Sequence, residues 1–109
     1  MVKYILVACG TSIATATVVA TKLSELLRKN KIQIQIFQCK SFEVKSKVNH
    51  MNYDLVVSTT KVSGEKDIDD KRVIPGKSKN VPILNGIPYL TGRNVDELNN
   101  QVLEILRES

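Results

Sequence analysis

The run Lys3-Tyr4-Ile5-Leu6-Val7-Ala8, closed by Cys9-Gly10, constrains the fold most. From Tyr4 onward it is continuously apolar and rich in β-formers, without the alternation of a strand that meets water on one side. Such a strand needs cover on both faces, which a parallel sheet between helices supplies. After Gly10 the apolar period changes. Ala16, Val19, Ala20, Leu23, Leu26 and Leu27 recur at helical spacing. Thr11 or Ser12 is suited to cap this helix, Arg28 and Lys29 complement its C-terminal dipole, and Asn30 can end it.

The pattern then repeats. Ile32-Gln33-Ile34-Gln35-Ile36-Phe37-Gln38-Cys39 alternates, as an edge strand with one wetter face does. Ser41 to Met51 carries Val44, Val48 and Met51 at helical spacing. Asp54-Leu55-Val56-Val57-Ser58 is a further buried strand, and Val81-Pro82-Ile83-Leu84 a short fourth one. The polar stretch between them, Thr60 to Lys79, reads mostly as surface loop. Asn85-Gly86-Ile87-Pro88 is turn chemistry. Asn94-x-x-Glu97 resembles a capping box for a helix with Val95, Leu98, Val102, Ile105 and Leu106 inward.

Strand–helix alternation of this kind predicts an α/β fold: one domain over residues 1–109, a four-stranded parallel sheet of order 2-1-3-4 flanked by helices, in a Rossmann-like or flavodoxin-like three-layer sandwich. In that order the winding reverses between strands one and three. Ligands of open α/β sheets sit beyond the carboxyl ends of the strands at such a reversal. Cys9-Gly10-Thr11 and Ser58-Thr59-Thr60 are delivered there.

Composition narrows the partners. Sixteen Lys and Arg against eleven Asp and Glu give +5, but the cations are scattered and there are only five aromatics, so no nucleic-acid surface is read. No stretch approaches the roughly 20 apolar residues that span a bilayer. Val2 to Ala8 is too short for a signal-peptide core, and the expected location is cytoplasmic. Cys9 and Cys39 do not form a disulfide framework or a C-x-x-C pair, and no zinc ligand set or cofactor motif is present.

Cys9 stands where strand gives way to helix. Backbone N–H groups at a helix start converge on one point and favour an anion. The same field favours a thiolate. Gly10 lets the backbone approach a ligand, and Thr11, Ser12 and Thr15 add hydroxyl donors. A thiolate in such a cradle can accept a phosphoryl group, formed by Gly10, Thr11, Ser12, Ile13, Ala14 and Thr15, with Thr59 and Thr60 at the pocket rim. The pattern alone leaves a second reading open, because a cysteine ending a buried strand is often a small core residue.

Other motifs fail on inspection. Cysteine phosphatases place an arginine six residues after the cysteine; here that position is Thr15, and no cation occurs before Lys22. Gly76-Lys77-Ser78 mimics the end of a Walker A loop, but the required earlier glycine is Lys71. His50, the only histidine, reads as a surface or packing residue, and Cys39 as a structural thiol.

The segment Val7-Ala8-Cys9-Gly10-Thr11-Ser12-Ile13-Ala14-Thr15-Ala16-Thr17 resembles the phosphocysteine loop of enzyme IIB components of the bacterial phosphoenolpyruvate-dependent sugar phosphotransferase system, galactitol type. The resemblance continues through Gln38-Cys39, Tyr53 to Thr60 and Pro82 to Gly92. It implies a phosphocysteine at Cys9, charged by a phosphohistidine of enzyme IIA and discharged to a sugar or sugar alcohol, galactitol in the type case. It also implies a membrane enzyme IIC that presents the acceptor and brings the chain to the inner membrane face. The expected activity is that of a protein-phosphocysteine–sugar phosphotransferase. Ser12 stands where the family loop has its second glycine, and Ala16 where it has serine. The alternatives set against this reading are a cysteine-dependent phosphatase-like hydrolase and a non-catalytic interaction module of the same fold.

Overall fold

β1 (Lys3–Cys9) is buried on both faces because helices cover it from both sides. The computed structural model describes residues 2–10, 13–69 and 71–108, with backbone alone for 13–15 and 108. Helix α1 (Ile13–Lys29) follows and turns Ala16, Val19, Ala20, Leu23 and Leu27 inward, the set that its spacing dictates. It stops at Asn30, as expected, and Lys31 closes the cap. Lys31 takes a left-handed φ of 60° while Ile32 N–H donates to the Leu27 carbonyl at 2.9 Å and Lys31 N–H to that of Arg28 at 3.1 Å. That pair of bonds is a Schellman cap, with a lysine where glycine is usual.

β2 (Ile34–Lys40) runs parallel to β1 as an edge strand, and its exposure alternates accordingly. A 3₁₀ turn (Ser41–Glu43) leads into α2 (Val44–His50), which buries Val44 and Val48. β3 (Leu55–Ser58), fully buried, pairs parallel with β1 on its other side. After β3 the sequence reading requires correction. The segment read as loop contains β4 (Lys66–Ile68) and β5 (Lys71–Pro75), an antiparallel hairpin whose turn holds Asp69 at a φ of 52°. β5 pairs antiparallel with β6 (Asn80–Asn85), and β6 pairs parallel with β3.

The sheet is therefore not a four-stranded parallel one. It has six strands, is mixed, and runs β2-β1-β3-β6-β5-β4. The hairpin continues it past β6. Its outer strand is three residues long, wholly exposed and starts with a lysine, which blunts an edge that would otherwise recruit other strands.

Asn85-Gly86, read as turn, opens a short helix. In α3 (Ile87–Thr91) Ile87 N–H donates to Asn85 Oδ1 at 3.0 Å, and Gly92 closes the helix at a φ of 79°. Asn94 precedes α4 (Val95–Glu108) with a φ of 56°, not the extended backbone usual for a side-chain cap, and its carbonyl accepts from Leu98 N–H at 3.2 Å. Two cores result. One lies between the sheet and α1, α3 and α4, around Ile5, Val7, Leu23, Val57 and Val102. The other lies under α2 and the segment after β3, around Leu6, Val44, Val56, Val62 and Ile74.

Candidate functional site

Parallel pairing brings the ends of three adjacent strands to one edge, and backbone bonds fasten them there. Thr59 N–H donates to the Ala8 carbonyl at 3.2 Å, and Gly86 N–H to the Ser58 carbonyl at 2.9 Å. Ser58 is completely buried. Its hydroxyl donates to the Thr60 carbonyl at 2.6 Å and accepts from Thr60 N–H at 3.2 Å, which turns the chain sharply as it leaves the sheet.

Cys9 ends β1 at this edge. Its side chain belongs to the core beneath α1, and the residue is 2% exposed. Gly10 follows, partly buried, and it does not need a positive φ. What it needs is room. A β-carbon there would lie 3.3 Å from the Thr60 methyl group. Thr11 and Ser12 lie outside the described residues. Ile13, Ala14 and Thr15 form the first turn of α1, which begins three residues after Gly10.

Thr59 and Thr60 line a cleft of about 370 Å³ together with Lys61, Glu65, Asp67, Arg72 and Asn85. Cys9 does not line it; Gly10 abuts it through Thr60. Arg72 organises the cleft. Its Nε donates to Glu65 Oε2 at 2.7 Å and its Nη2 to Glu65 Oε1 at 2.8 Å and to the Thr60 carbonyl at 3.1 Å. Glu65 Oε1 also accepts from Val62 N–H at 2.6 Å. The hydrogen bond from Arg72 holds the Glu65 carboxyl below its ordinary range, and the same bond raises the guanidinium's. Sequence reasoning missed both residues. The available signal was Lys66-Asp67-Ile68 and Lys71-Arg72-Val73-Ile74 on either side of Asp69-Asp70, two short runs around a turn.

The remaining candidates lie elsewhere. Cys39 pairs in register with Ala8 and packs on the α2 side of the sheet, whereas Cys9 faces the α1 side. Burial chiefly, with Glu43 nearby, pushes the Cys39 thiol up to about 11. His50 is exposed at the C-terminal end of α2, which runs back from the end of β2 toward the start of β3. Gly76-Lys77-Ser78 forms the turn between β5 and β6 at the opposite edge of the sheet. There Lys77 N–H donates to the Val48 carbonyl at 2.9 Å and Ser78 Oγ to Asn52 Oδ1 at 2.8 Å.

A strand-ending cysteine at the reversal of a parallel α/β sheet, ahead of a helix start, fits proteins that handle anionic groups at strand ends. The family model described as PTS system, Lactose/Cellobiose specific IIB subunit matches residues 4–101, and the chain belongs to that family of phosphotransferase-system components. The galactitol-specific EIIB component of Escherichia coli (strain K12) is 28% identical over 107 residues, covering 98% of this chain and 99% of that protein. Its counterpart in Escherichia coli O157:H7 is 27% identical over the same span. A third relative, provisionally named phosphotransferase enzyme IIB component SgcB, from Escherichia coli (strain K12), is 35% identical over 106 residues, 97% of this chain and 99% of its own length. The chain is thus a IIB subunit of a system that couples phosphoryl transfer to sugar uptake. Among the described residues, no helix is long and apolar enough to cross a membrane.

Proposed function

We propose that Cys9 is the phosphoryl acceptor of this subunit. Its thiolate attacks the phosphorus of a phosphohistidine on a IIA component, an S–P bond forms as the N–P bond breaks, and the imidazole leaves and takes up a proton. A hydroxyl of a sugar alcohol, galactitol by likeness to the relatives' names, then attacks the same phosphorus. The S–P bond breaks, the hydroxyl proton passes to solvent, and the thiolate is restored. The acceptor is held by a membrane IIC component, and the subunit works in the cytoplasm.

One observation carries this reading: Cys9 ends the strand flanked by β2 and β3, immediately before the start of α1. Helix-start amides supply positioning and charge stabilisation, most of what phosphoryl transfer asks of a protein. Residues 10–15 form the cradle in this proposal, with Thr59 and Thr60 at its rim. Hydrolysis is disfavoured because no cation occurs between Cys9 and Lys22, and Arg72, which lines the neighbouring cleft, is engaged by Glu65 and the Thr60 carbonyl.

The 2% exposure of Cys9 favours a second reading, in which the sulfur only fills the core beneath α1. Reconstitution separates the two. Galactitol phosphorylation with IIA and IIC components should be abolished by Cys9→Ser, while wild-type Cys9 is alkylated by iodoacetamide faster than Cys39 at neutral pH. Full activity in the variant would exclude the phosphocysteine.

A further inference from the structure

The hairpin brings an arginine from two strands away to the end of β3, and its bonds converge on the residue that touches Gly10. Arg72 lies on β5, separated from β3 by β6. Its planar fork holds both Glu65 oxygens and still reaches the Thr60 carbonyl. That carbonyl also takes the Ser58 hydroxyl, so both its lone pairs are used. Glu65 in turn fixes Val62 N–H. The segment from Thr60 to Glu65 is therefore tied at both ends to one guanidinium.

Thr60 cannot move without consequence, because its methyl group fills the space against Gly10. Its hydroxyl is committed too, donating to the Lys61 carbonyl at 3.2 Å. We infer that Arg72 is a positioning residue for the Cys9-Gly10 turn, acting through Glu65 and Thr60 on the attitude in which the sulfur meets an incoming phosphoryl group. The inference rests on Cys9 as the acceptor. Arginine is required by the geometry, since a lysine ammonium is a point charge that cannot keep the bidentate contact and the carbonyl together.

The test uses the full chain as wild type, Arg72→Ala, Arg72→Lys and Glu65→Gln, with single-turnover transfer from phosphorylated IIA measured across IIA concentrations. Arg72→Ala should lower the saturating rate about tenfold to a hundredfold, as misplacements of a reacting group do. The half-saturating concentration should stay within about twofold, the signature of an effect outside partner binding. Arg72→Lys should not recover the rate, whereas millimolar guanidinium should recover part of it in Arg72→Ala. A wild-type saturating rate in folded Arg72→Ala overturns the inference. So does a raised half-saturation at unchanged maximal rate, which would assign Arg72 to docking. Should Arg72→Ala fail to fold, Glu65→Gln carries the test with the same two outcomes. If the wild type itself takes no phosphate, the acceptor reading fails separately, and Cys9 alkylation then decides. A change of about threefold or more between wild type and Glu65→Gln supports positioning, and equal rates overturn it.

Discussion

At Gly10 the constraint is spatial. A methyl group there meets the Thr60 methyl at 3.3 Å, and Thr60 is held by Ser58, Arg72 and its own hydroxyl. Gly10→Ala should cost about 1 kcal/mol of unfolding free energy, in line with mild overpacking. It should also slow phosphoryl transfer, and Thr60→Ser in the same chain, by removing the methyl group, should restore most of both. Urea melts and single-turnover rates of the single and double variants check this. Cys39 gives a second expectation at this scale. Its thiol, pushed to about 11 by burial from an ordinary 9.0, stays protonated at neutral pH. Peptide-mapped iodoacetamide labelling should therefore leave Cys39 slow until the pH nears that value. The group's contribution to stability is full below 9.0 and is lost as pH rises through about 11.

Among the elements, α1 and the hairpin show what local sequence does and does not carry. The helix was legible because five inward positions repeat at one period, and it stops at Asn30 as read, but the left-handed residue that closes it was not legible. Asn30 uses its side chain on the Leu26 carbonyl at 2.8 Å, and the left-handed position falls on Lys31. Lys31→Gly should raise stability by up to about 1 kcal/mol, read from the melting midpoint. β4 and β5 left only a faint trace in the sequence because burial hardly marks them. Every residue of β4 is exposed, and β5 buries only Ile74. Strand pairing, the Arg72–Glu65 bond and the single buried anchor Ile74 hold the hairpin. That bond carries a pH signature. Because the Glu65 carboxyl is held below its ordinary 4.5, its contribution is present above that value and is lost as pH falls through the lowered one. Urea midpoints taken between neutral and acid pH should fall less steeply in Glu65→Gln than in the wild type.

For the whole molecule, the three-layer arrangement and the convergence of Cys9, Thr59 and Thr60 at one sheet edge follow from strand–helix alternation, which a single sequence displays. The contribution of Arg72 does not. It comes from a strand two places away, and no local spacing encodes that proximity. The basic balance of +5 acts at the same scale, on encounter with partners more than on chemistry. Transfer from a phosphorylated IIA at low concentration should slow as salt is raised, while the saturating rate stays nearly constant.

The central claim is most directly tested by locating the phosphate. The chain is exposed to phosphorylated IIA, trapped, and fragmented in a mass spectrometer under conditions that preserve S–P and N–P bonds. The expected result is one phosphate, on Cys9, and none on the Cys9→Ser chain. Phosphate on Cys39 or His50, or a wild-type chain that acquires none, would contradict it.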